Sequence, residues 1–432
     1  MSTVKSGEVR KPLFFYGWVM VGIAIICMVL VYGTRHSFPV FFSPILDEFG
    51  WSRGSTAFML SLNLLMYGLT APIVGSLYDR WKPRRIILIG VTVLALATAG
   101  CAFARELWHF YLLFGFLVPV GTACSGWPLF GPTLANWFAK RRGLVIGLAQ
   151  AGGGLSFAYG MFAEFVISQV GWRYTYFVIA GILVGVLLPL FLFFYSYRPE
   201  QKGQKPYGAD DTRVAIELEA SAAADRKSVP NDWTLRKALR TYQLWFLIAT
   251  QSLYWGVGAF LVLGHQVKFA EDVGYSSTFA ASIFALFGIF TAAGQLSSSL
   301  SDWMGREKTI TIAVILTLGA LAALISVHDT SQPWLLYLYA ICFGYGAGLS
   351  SPAIYAGLAD IFYGRHFGIL SGLLMCGFGI GGVVGPWLGG FIYDVTGSYT
   401  GAFILAVVCF ALSGVVFWIA APRKAEKLRA KL

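Results

Sequence analysis

The chain has 432 residues, of which 57% are hydrophobic and only 12% are charged, and its mean hydropathy is +0.67. One helical crossing of a bilayer needs roughly twenty apolar residues, so this composition predicts a polytopic helical membrane protein and excludes an ordinary water-soluble domain. The formal net charge of +11 would suit a nucleic-acid partner, but the distribution of the charges along the chain argues against that class.

Apolar runs recur along the chain with the length of membrane-crossing helices. They lie near 15–46, 55–78, 86–104, 108–135, 143–168, 173–196, 241–266, 277–300, 308–327, 333–357, 367–392 and 399–421. These runs predict an all-α polytopic membrane protein with twelve transmembrane helices. A polar segment interrupts them and divides the helices six and six. We therefore predict an N-terminal six-helix bundle over 1–196, a cytoplasmic linker over 197–240 and a C-terminal six-helix bundle over 241–432.

The first apolar run contains two adjacent cationizable residues, Arg35 and His36. A charge at membrane depth costs a few kcal/mol even on lenient insertion scales, so it normally faces a protein interior or a water-filled cavity. We favour Arg35 as the partner of an anion, because its guanidinium stays charged and can bind a carboxylate through two parallel hydrogen bonds. Neighbouring helix residues point about 100° apart, so we do not expect both side chains to face a cavity squarely. A structural role for Arg35, bonding backbone carbonyls, remains the alternative.

Lys and Arg are distributed very unequally between the loops on the two sides of the predicted membrane. With the N-terminus placed inside, 27 of the 32 cationic residues fall in inner segments and four in outer ones, with Arg35 remaining. Cytoplasmic loops carry an excess of Lys and Arg, so both termini are predicted to be cytoplasmic. Short loops and compact tails favour the inner (plasma) membrane of a cell as the location of this multi-pass protein.

The two predicted bundles repeat each other in sequence at a shift of about 225 residues. The stretch DEFGWS at 47–52 is mirrored by EDVGYS at 271–276, and the glycines that follow Arg141 are mirrored by those that follow Arg365. Many transporters are built from such repeats and hold their substrate between them near mid-membrane. The repeat therefore predicts pseudo-symmetric bundles and a transport function.

Residues 75–85 read GSLYDRWKPRR, between the second and third predicted helices, and 298–308 are a weaker copy, SSLSDWMGREK. This stretch resembles the signature loop of the major facilitator superfamily, and the resemblance implies that fold. It also implies gating residues whose charge contacts hold the cytoplasmic side closed: Asp79, Arg80, Arg84, Arg85, Asp302 and Arg306. The alternative is that these charges only mark cytoplasmic loops.

A narrower resemblance begins at the entry to the fifth helix, where WFAKRRGLVIGLAQAGGG covers 137–154. Phe138, the basic cluster after it and the Ala-Gly pair are similar to the signature of the monocarboxylate transporter family, although Trp137 replaces the usual Tyr. The family's other signature, at helix 1, is matched only in part. Arg141 and Arg142 of the basic cluster join the predicted gating residues.

Members of that family carry a cation in helix 1 shortly before an aromatic run, as Arg35 and His36 precede Val40 here, and alignment through that run puts His36 at the family's lysine. Many members also carry an Asp and an Arg in helix 8 that bind the substrate carboxylate. Alignment places Gly288 and Ala292 at those two positions. The resemblance therefore implies that Arg35 must supply the positive charge that helix 8 lacks, and it puts a simple lactate or pyruvate substrate in doubt.

Other polar side chains inside apolar runs could line the substrate cavity, or could serve packing alone. They are Asn63, Tyr67, Thr122, Gln150, Gln251, His265, Gln295 and Tyr345. No carboxylate falls near the middle of a predicted helix. His36 and His265 titrate near neutral pH and are the candidates for carrying a proton, with structural hydrogen bonding as the alternative for each.

The sequence lacks the marks of an enzyme or of a metal protein. All six cysteines lie in apolar runs, so neither a disulfide nor a metal site is predicted. A nucleophile elbow and a phosphate-binding loop are absent, and we expect no cofactor. We predict a monomeric secondary transporter that moves a small organic anion, monocarboxylate-like, by alternating access. Efflux of amphipathic drugs or cations, and a sensor or assembly partner that does not translocate, are the alternatives.

Overall fold

A computed structural model describes residues 14–78, 81, 83–209, 233, 235–362 and 367–424. Within these ranges the chain is helical, and its one β contact is an isolated bridge between Phe138 and Tyr207. The long helices are α1 (Gly17–Phe49), α2 (Arg53–Tyr78), α3 (Pro83–Cys101), α4 (Leu107–Trp137), α5 (142–170), α6 (172–194), α7 (Tyr242–Val273), α8 (Ser277–Met304), α9 (Arg306–Ile325), α10 (Pro333–Phe362), α11 (Phe367–Thr396) and α12 (Thr400–Ala420). The predicted all-α architecture is thereby confirmed.

Ten helical stretches of the described chain are long and apolar enough to cross a membrane. One of them, Leu144–Phe194, is 51 residues long and contains two crossings, because Gly171 has φ 82° and ψ 161° and interrupts the helix. The 30-residue α10 supplies the remaining crossing of the twelve predicted from the sequence. Helices α1–α6 and α7–α12 form the two halves of the molecule.

Two helices that border the centre of the molecule are broken within the membrane. Helix α1 is interrupted at Ser37, directly after His36, where φ is −74° and ψ is −10°, and α4 is broken at Gly126, where φ is −97° and ψ is −144°. Side chains from α1 bond the backbone groups released at the second break. The Tyr32 hydroxyl accepts from the Trp127 nitrogen at 3.2 Å, and the Cys27 thiol donates to the Ser125 carbonyl at 3.1 Å. Helix α1 is therefore anchored to α4 beside the centre of the protein.

The two halves meet through contacts between backbones. Helix α2 packs along α11, and α5 packs along α8. An added Cβ at Gly68 would lie 2.8 Å from the Cα atom of Gly379, and one at Gly154 would lie 2.6 Å from the backbone nitrogen of Ala292. Small residues let helices approach this closely in a membrane protein. The repeated glycines thus bring the halves into direct contact around a central cavity.

The described beginning of the predicted linker folds back onto the first half. The Tyr207 nitrogen donates to the Trp137 carbonyl at 2.8 Å, and the Gln204 side chain accepts from the Tyr16 nitrogen at 2.9 Å. A short helix at Leu235–Leu239 precedes α7. The middle of the segment, 210–232, lies outside the described residues, so the division at 196 and 241 stays a prediction.

Candidate functional site

A central cavity lies between the two halves. It consists of two adjoining chambers of about 160 and 150 Å³. The first chamber is bordered by α1, α2, α5, α7, α8, α10 and α11, and the second adds Trp127 of α4. Residues common to both chambers are Tyr32, Gly153, Gln295, Ser351, Tyr355 and Met375. Each half therefore contributes one wall, as alternating access between two repeats requires.

Arg35 supplies the positive charge of this cavity. The residue is only 5% exposed, and its guanidinium carbon lies 4.9 Å from the ring centre of Tyr67 and 5.2 Å from that of Tyr32. Its Nε and Nη1 atoms have no hydrogen-bond partner among the described residues. In the described part of the chain, no Asp or Glu lines either chamber. A buried cation with free donors and no counter-charge is an arrangement that an anion would complete.

His36 lies beside Arg35 and is held by α5. Its Nδ1 atom is 2.7 Å from the Ser156 hydroxyl, and its ring stacks on Phe157 with 3.8 Å between the centroids. The Nε2 atom is 3.3 Å from Nη2 of Arg35. We expected only one of the two neighbours to face the cavity, yet both line it. The reason is the length of the arginine side chain, which reaches over Tyr32, one turn back along α1, while the histidine ring stays against α5.

Four more of the predicted cavity residues lie in the chambers, and one of them, Gln251, lines the first chamber from α7 with its buried Oε1 atom unpartnered in the described structure. Tyr67 lines the first, where its hydroxyl is 2.7 Å from that of Tyr32. Gln150 lines the second, and Gln295 lines both. The Oε1 atom of Gln295 is buried without a partner in the described structure. The predicted substrate contacts are thereby concentrated on α1, α2, α5, α7 and α8.

Four other predicted residues lie away from the chambers. Asn63 donates to the Phe114 carbonyl at 2.7 Å and connects α2 to the π-helical part of α4. The Nε2 atom of His265 is 2.8 Å from the Pro386 carbonyl, so this ring connects α7 to α11. Thr122 and Tyr345 are also absent from the residues that line the cavity. Their predicted roles in binding therefore receive no geometric support from these positions.

Several lining residues were not singled out from the sequence. Tyr355 lies on α10 ten residues beyond Tyr345, and its buried hydroxyl has no partner in the described structure. Trp255 donates to the Ser350 hydroxyl at 3.1 Å and borders the first chamber from α7. An aromatic residue in an apolar helix looks the same in sequence whether it packs or lines a cavity. The sequence signal available for Tyr355 was its hydroxyl alone.

The part of α8 where the family resemblance placed an acid and an arginine is in tight contact with α5. A Cβ at Gly288 would lie 2.7 Å from the Phe157 Cβ atom, and the backbone of Ala292 lies against Gly154. A long charged side chain at either position would need α5 to move. The close packing of α8 against α5 therefore leaves no room for the arginine that many family members carry in helix 8.

The end of the molecule where α4 terminates, here named the Trp137 end, holds the predicted gating residues. Arg306 bonds Asp360 at 2.9 Å, Asp302 at 2.5 Å and the Ser301 hydroxyl at 2.6 Å, all within the second half. Arg84 donates to the Leu192 carbonyl, Arg85 is exposed, and Arg141 is exposed with φ 63°. Asp79, Arg80 and the Arg142 side chain lie outside the described residues.

The opposite end, here named the Arg53 end, is closed by polar contacts between the halves. The Arg53 guanidinium bonds Asp272 and, at 2.8 Å, the Tyr399 hydroxyl. The Asp394 carboxylate accepts from the backbone nitrogens of Arg53 and Gly54 at 2.9 and 2.8 Å. These contacts join α2 to α7 and α11, so the halves are held together at this end.

Comparison with known proteins identifies the class of protein that has this fold and this cavity between its halves. The model of the Major Facilitator Superfamily matches residues 23–361 and 300–432, and the chain belongs to that superfamily. It is similar to mouse monocarboxylate transporter 11, with 28% identity over 94% of this chain and 88% of that protein. It is also similar to rat monocarboxylate transporter 13, with 26% identity over 92% of this chain and 87% of that protein.

A solved structure has the same fold. The crystal structure of a bacterial homologue of the human lysosomal transporter Spinster, described as inward-facing and unoccupied, superposes with a TM-score of 0.65 at 18% identity. The match covers 96% of this chain and 98% of that one. Because the chain belongs to the Major Facilitator Superfamily and resembles transporters over most of its length, it is a multi-pass membrane transporter and not an enzyme.

Proposed function

We propose that this protein is a secondary active transporter that moves a small organic anion, monocarboxylate-like, by alternating access. The observation that carries the proposal is Arg35, a buried guanidinium that borders the cavity between the halves with two unpartnered nitrogens. An anion that enters the cavity gains a charge-assisted hydrogen bond and removes the cost of the isolated charge. Relatives named monocarboxylate transporters support the same class of substrate.

The contacts at the Arg53 end support access to the cavity from the other side. Helix α2 is joined there to α7 and α11 through Arg53 and Asp394. Substrate would therefore enter and leave at the Trp137 end in this arrangement, and the contacts at the Arg53 end would break in the opposite one. By the excess of Lys and Arg in the loops, the Trp137 end and both termini face the cytoplasm of a cell bounded by its inner (plasma) membrane. We take the functional unit to be a monomer.

Proton coupling is proposed at His36 rather than at His265. His36 borders the cavity next to Arg35, whereas His265 lies between α7 and α11. A proton carried on His36 would therefore share the compartment of the anion. Transport driven by a pH gradient in proteoliposomes, compared between the native protein and His36→Gln, tests this point, and an unchanged dependence on the gradient would exclude His36.

The binding of carboxylates to purified protein tests the anion proposal, with Arg35→Ala as the site variant and Arg105→Ala as the control. Arg105 is exposed in the loop before α4, so Arg105→Ala removes the same side chain at a position outside the cavity. Removing one partner of a buried charge pair costs about 2–5 kcal/mol, so Arg35→Ala should weaken binding by at least about 30-fold. Unchanged affinity in a folded Arg35→Ala protein would overturn the proposal, and export of cationic dyes instead would favour efflux.

A further inference from the structure

The chamber around Arg35 has the size and walls of a site for one ring. Its volume is about 160 Å³, and an apolar cavity of about 150 Å³ holds benzene. Phe157 and Phe260 border the chamber from opposite halves, and Tyr67 borders it from α2. Walls that present ring faces and edges favour a planar apolar body over a short flexible chain.

Three uncharged side chains in the cavity have an unpartnered buried polar atom: Gln251, which lines the first chamber only, and Gln295 and Tyr355, which line both. The Oε1 atom of Gln295 and the hydroxyl of Tyr355 are buried without hydrogen-bond partners in the described structure, and both residues line both chambers. Buried polar groups are normally bonded, so an unpartnered amide and an unpartnered hydroxyl in one cavity indicate a ligand group that satisfies them. These groups belong to the second half, whereas Arg35 belongs to the first.

A neutral hydroxyl on the ligand is the group that matches the Gln295 oxygen and the Tyr355 hydroxyl. A hydroxyl donates one hydrogen bond and accepts others, so it can donate to the Gln295 oxygen and accept from the Tyr355 hydroxyl at once. A protonated amine cannot accept, and it would require a carboxylate that the described walls of the cavity lack. The polarity of this region therefore selects a hydroxyl over a charged amine.

The distance between Arg35 and the Gln295–Tyr355 pair corresponds to the length of one substituted ring. His36 stacks on Phe157, and Phe157 lies against Gly288 of α8. Gly288 therefore marks the position along α8 that lies at the same depth as His36 and the neighbouring Arg35. Gln295 follows Gly288 by seven residues, or about 10 Å along the helix axis. Helical side chains lean towards the N-terminus, so Gln295 on α8 and Arg35 on the oppositely directed α1 lean towards each other and shorten this gap.

We propose, on the basis of the anion transport inferred above, that the substrate is a ring carboxylate with a hydroxyl opposite the carboxylate, in the class of 4-hydroxybenzoate. Arg35 binds the carboxylate, and the rings of Phe157, Phe260 and Tyr67 surround the body. Gln295 accepts a hydrogen bond from the hydroxyl and Tyr355 donates one to it. Gln295 and Tyr355 thereby determine specificity.

Calorimetric titration of the purified protein with 4-hydroxybenzoate, benzoate and lactate tests the assignment. We expect 4-hydroxybenzoate to bind about ten-fold more tightly than benzoate, since a hydroxyl that satisfies two buried groups gains what the unsubstituted ring leaves unpaired. Lactate should bind more weakly than both, because it leaves most of the chamber unfilled. Equal affinities for 4-hydroxybenzoate and benzoate, or a preference for lactate, would overturn the assignment.

Two variants locate the preference on named residues. Gln295→Leu and Tyr355→Phe should each lower the ratio of the two affinities towards one, and Gln169→Leu, an exposed change on α5, should preserve it. A ratio that survives both substitutions would contradict the roles of Gln295 and Tyr355. Lactate binding without ring carboxylate binding would refute this inference and leave anion transport standing, whereas failure of all three carboxylates would refute both proposals.

Discussion

The backbone nitrogen of Arg53 donates to the carboxylate of Asp394 across 2.9 Å, and this bond joins the first turn of α2 to the last turns of α11. The guanidinium of the same arginine bonds Asp272 of α7 and lies 3.6 Å from the ring centre of Tyr393. One residue of the first half therefore contacts two helices of the second. The Arg53 end of the molecule is closed around this residue.

Arg53→Ala should shift the protein towards forms that are open at the Arg53 end. Hydrogen bonds to charged groups contribute about 1.5–3 kcal/mol each, so losing the contact to Asp272 should change the ratio of open to closed forms by at least about ten-fold. Spin labels at Ser168 and His328, in a background without native cysteines, would report the distance between the halves. Arg105→Ala is the control, and identical distance distributions in the native and Arg53→Ala proteins would contradict the prediction.

Arg306→Ala should destabilise the second half at the Trp137 end. The substitution leaves Asp302 and Asp360 without the cation that bonds both, at an expected cost of about 1–3 kcal/mol. We expect a lower unfolding temperature and slower transport, with ligand affinity close to the native value because Arg306 is remote from the chambers. Lys308→Ala, an exposed change two residues away, should have no such effect. Equal unfolding temperatures for the two variants would refute this role.

Tyr32→Phe should be more damaging than Tyr67→Phe. Both substitutions remove the bond between the two hydroxyls, but only Tyr32→Phe also leaves the Trp127 nitrogen at the α4 break without its acceptor. An unsatisfied buried donor costs about 1–3 kcal/mol, so the two variants should differ by about that amount. Unfolding in detergent measures the difference. If the two variants are equally stable, the break in α4 does not depend on Tyr32.

Gly68→Ala should separate α2 from α11. The added methyl group would lie 2.8 Å from the Gly379 Cα atom, and such overpacking typically costs about 1–3 kcal/mol. Gly75→Ala in the same helix has open space around its Cβ position and should be neutral or slightly stabilising. Comparison of the two unfolding temperatures tests the backbone contact. A native-like unfolding temperature for Gly68→Ala would show that the backbones of α2 and α11 are not in direct contact at Gly68 and Gly379.

The fold was accessible from sequence because hydropathy and the internal repeat report burial in the membrane directly. The twelve apolar runs correspond to the twelve crossings, although no periodicity marked the break at Ser37. Such breaks arise where the tertiary structure bonds the released backbone groups, as Tyr32 does at Trp127 of α4. A sequence pattern averages over a helix and does not contain that information.

Residues of the candidate site could be predicted from the sequence only where burying their side chains costs free energy. Arg35 stood out because a charge in an apolar run requires an explanation, and the structure places it at the cavity. Tyr345 and Tyr355 occupy the same helix and have the same chemistry, and the sequence offered no reason to prefer the second. His265 illustrates the opposite case, since the backbone carbonyl of Pro386 gives this polar ring a partner outside the cavity.

The contact between Gly68 and Gly379 has a mechanical consequence. Where two backbones touch without interlocking side chains, one helix can roll on the other without any rotamer having to change. A rotation of the halves about the Gly68–Gly379 contact would therefore require no side chain to change its rotamer at that point. We therefore expect the energy barrier to such a rotation to lie at the Arg53 end, where specific bonds must break before the halves can separate.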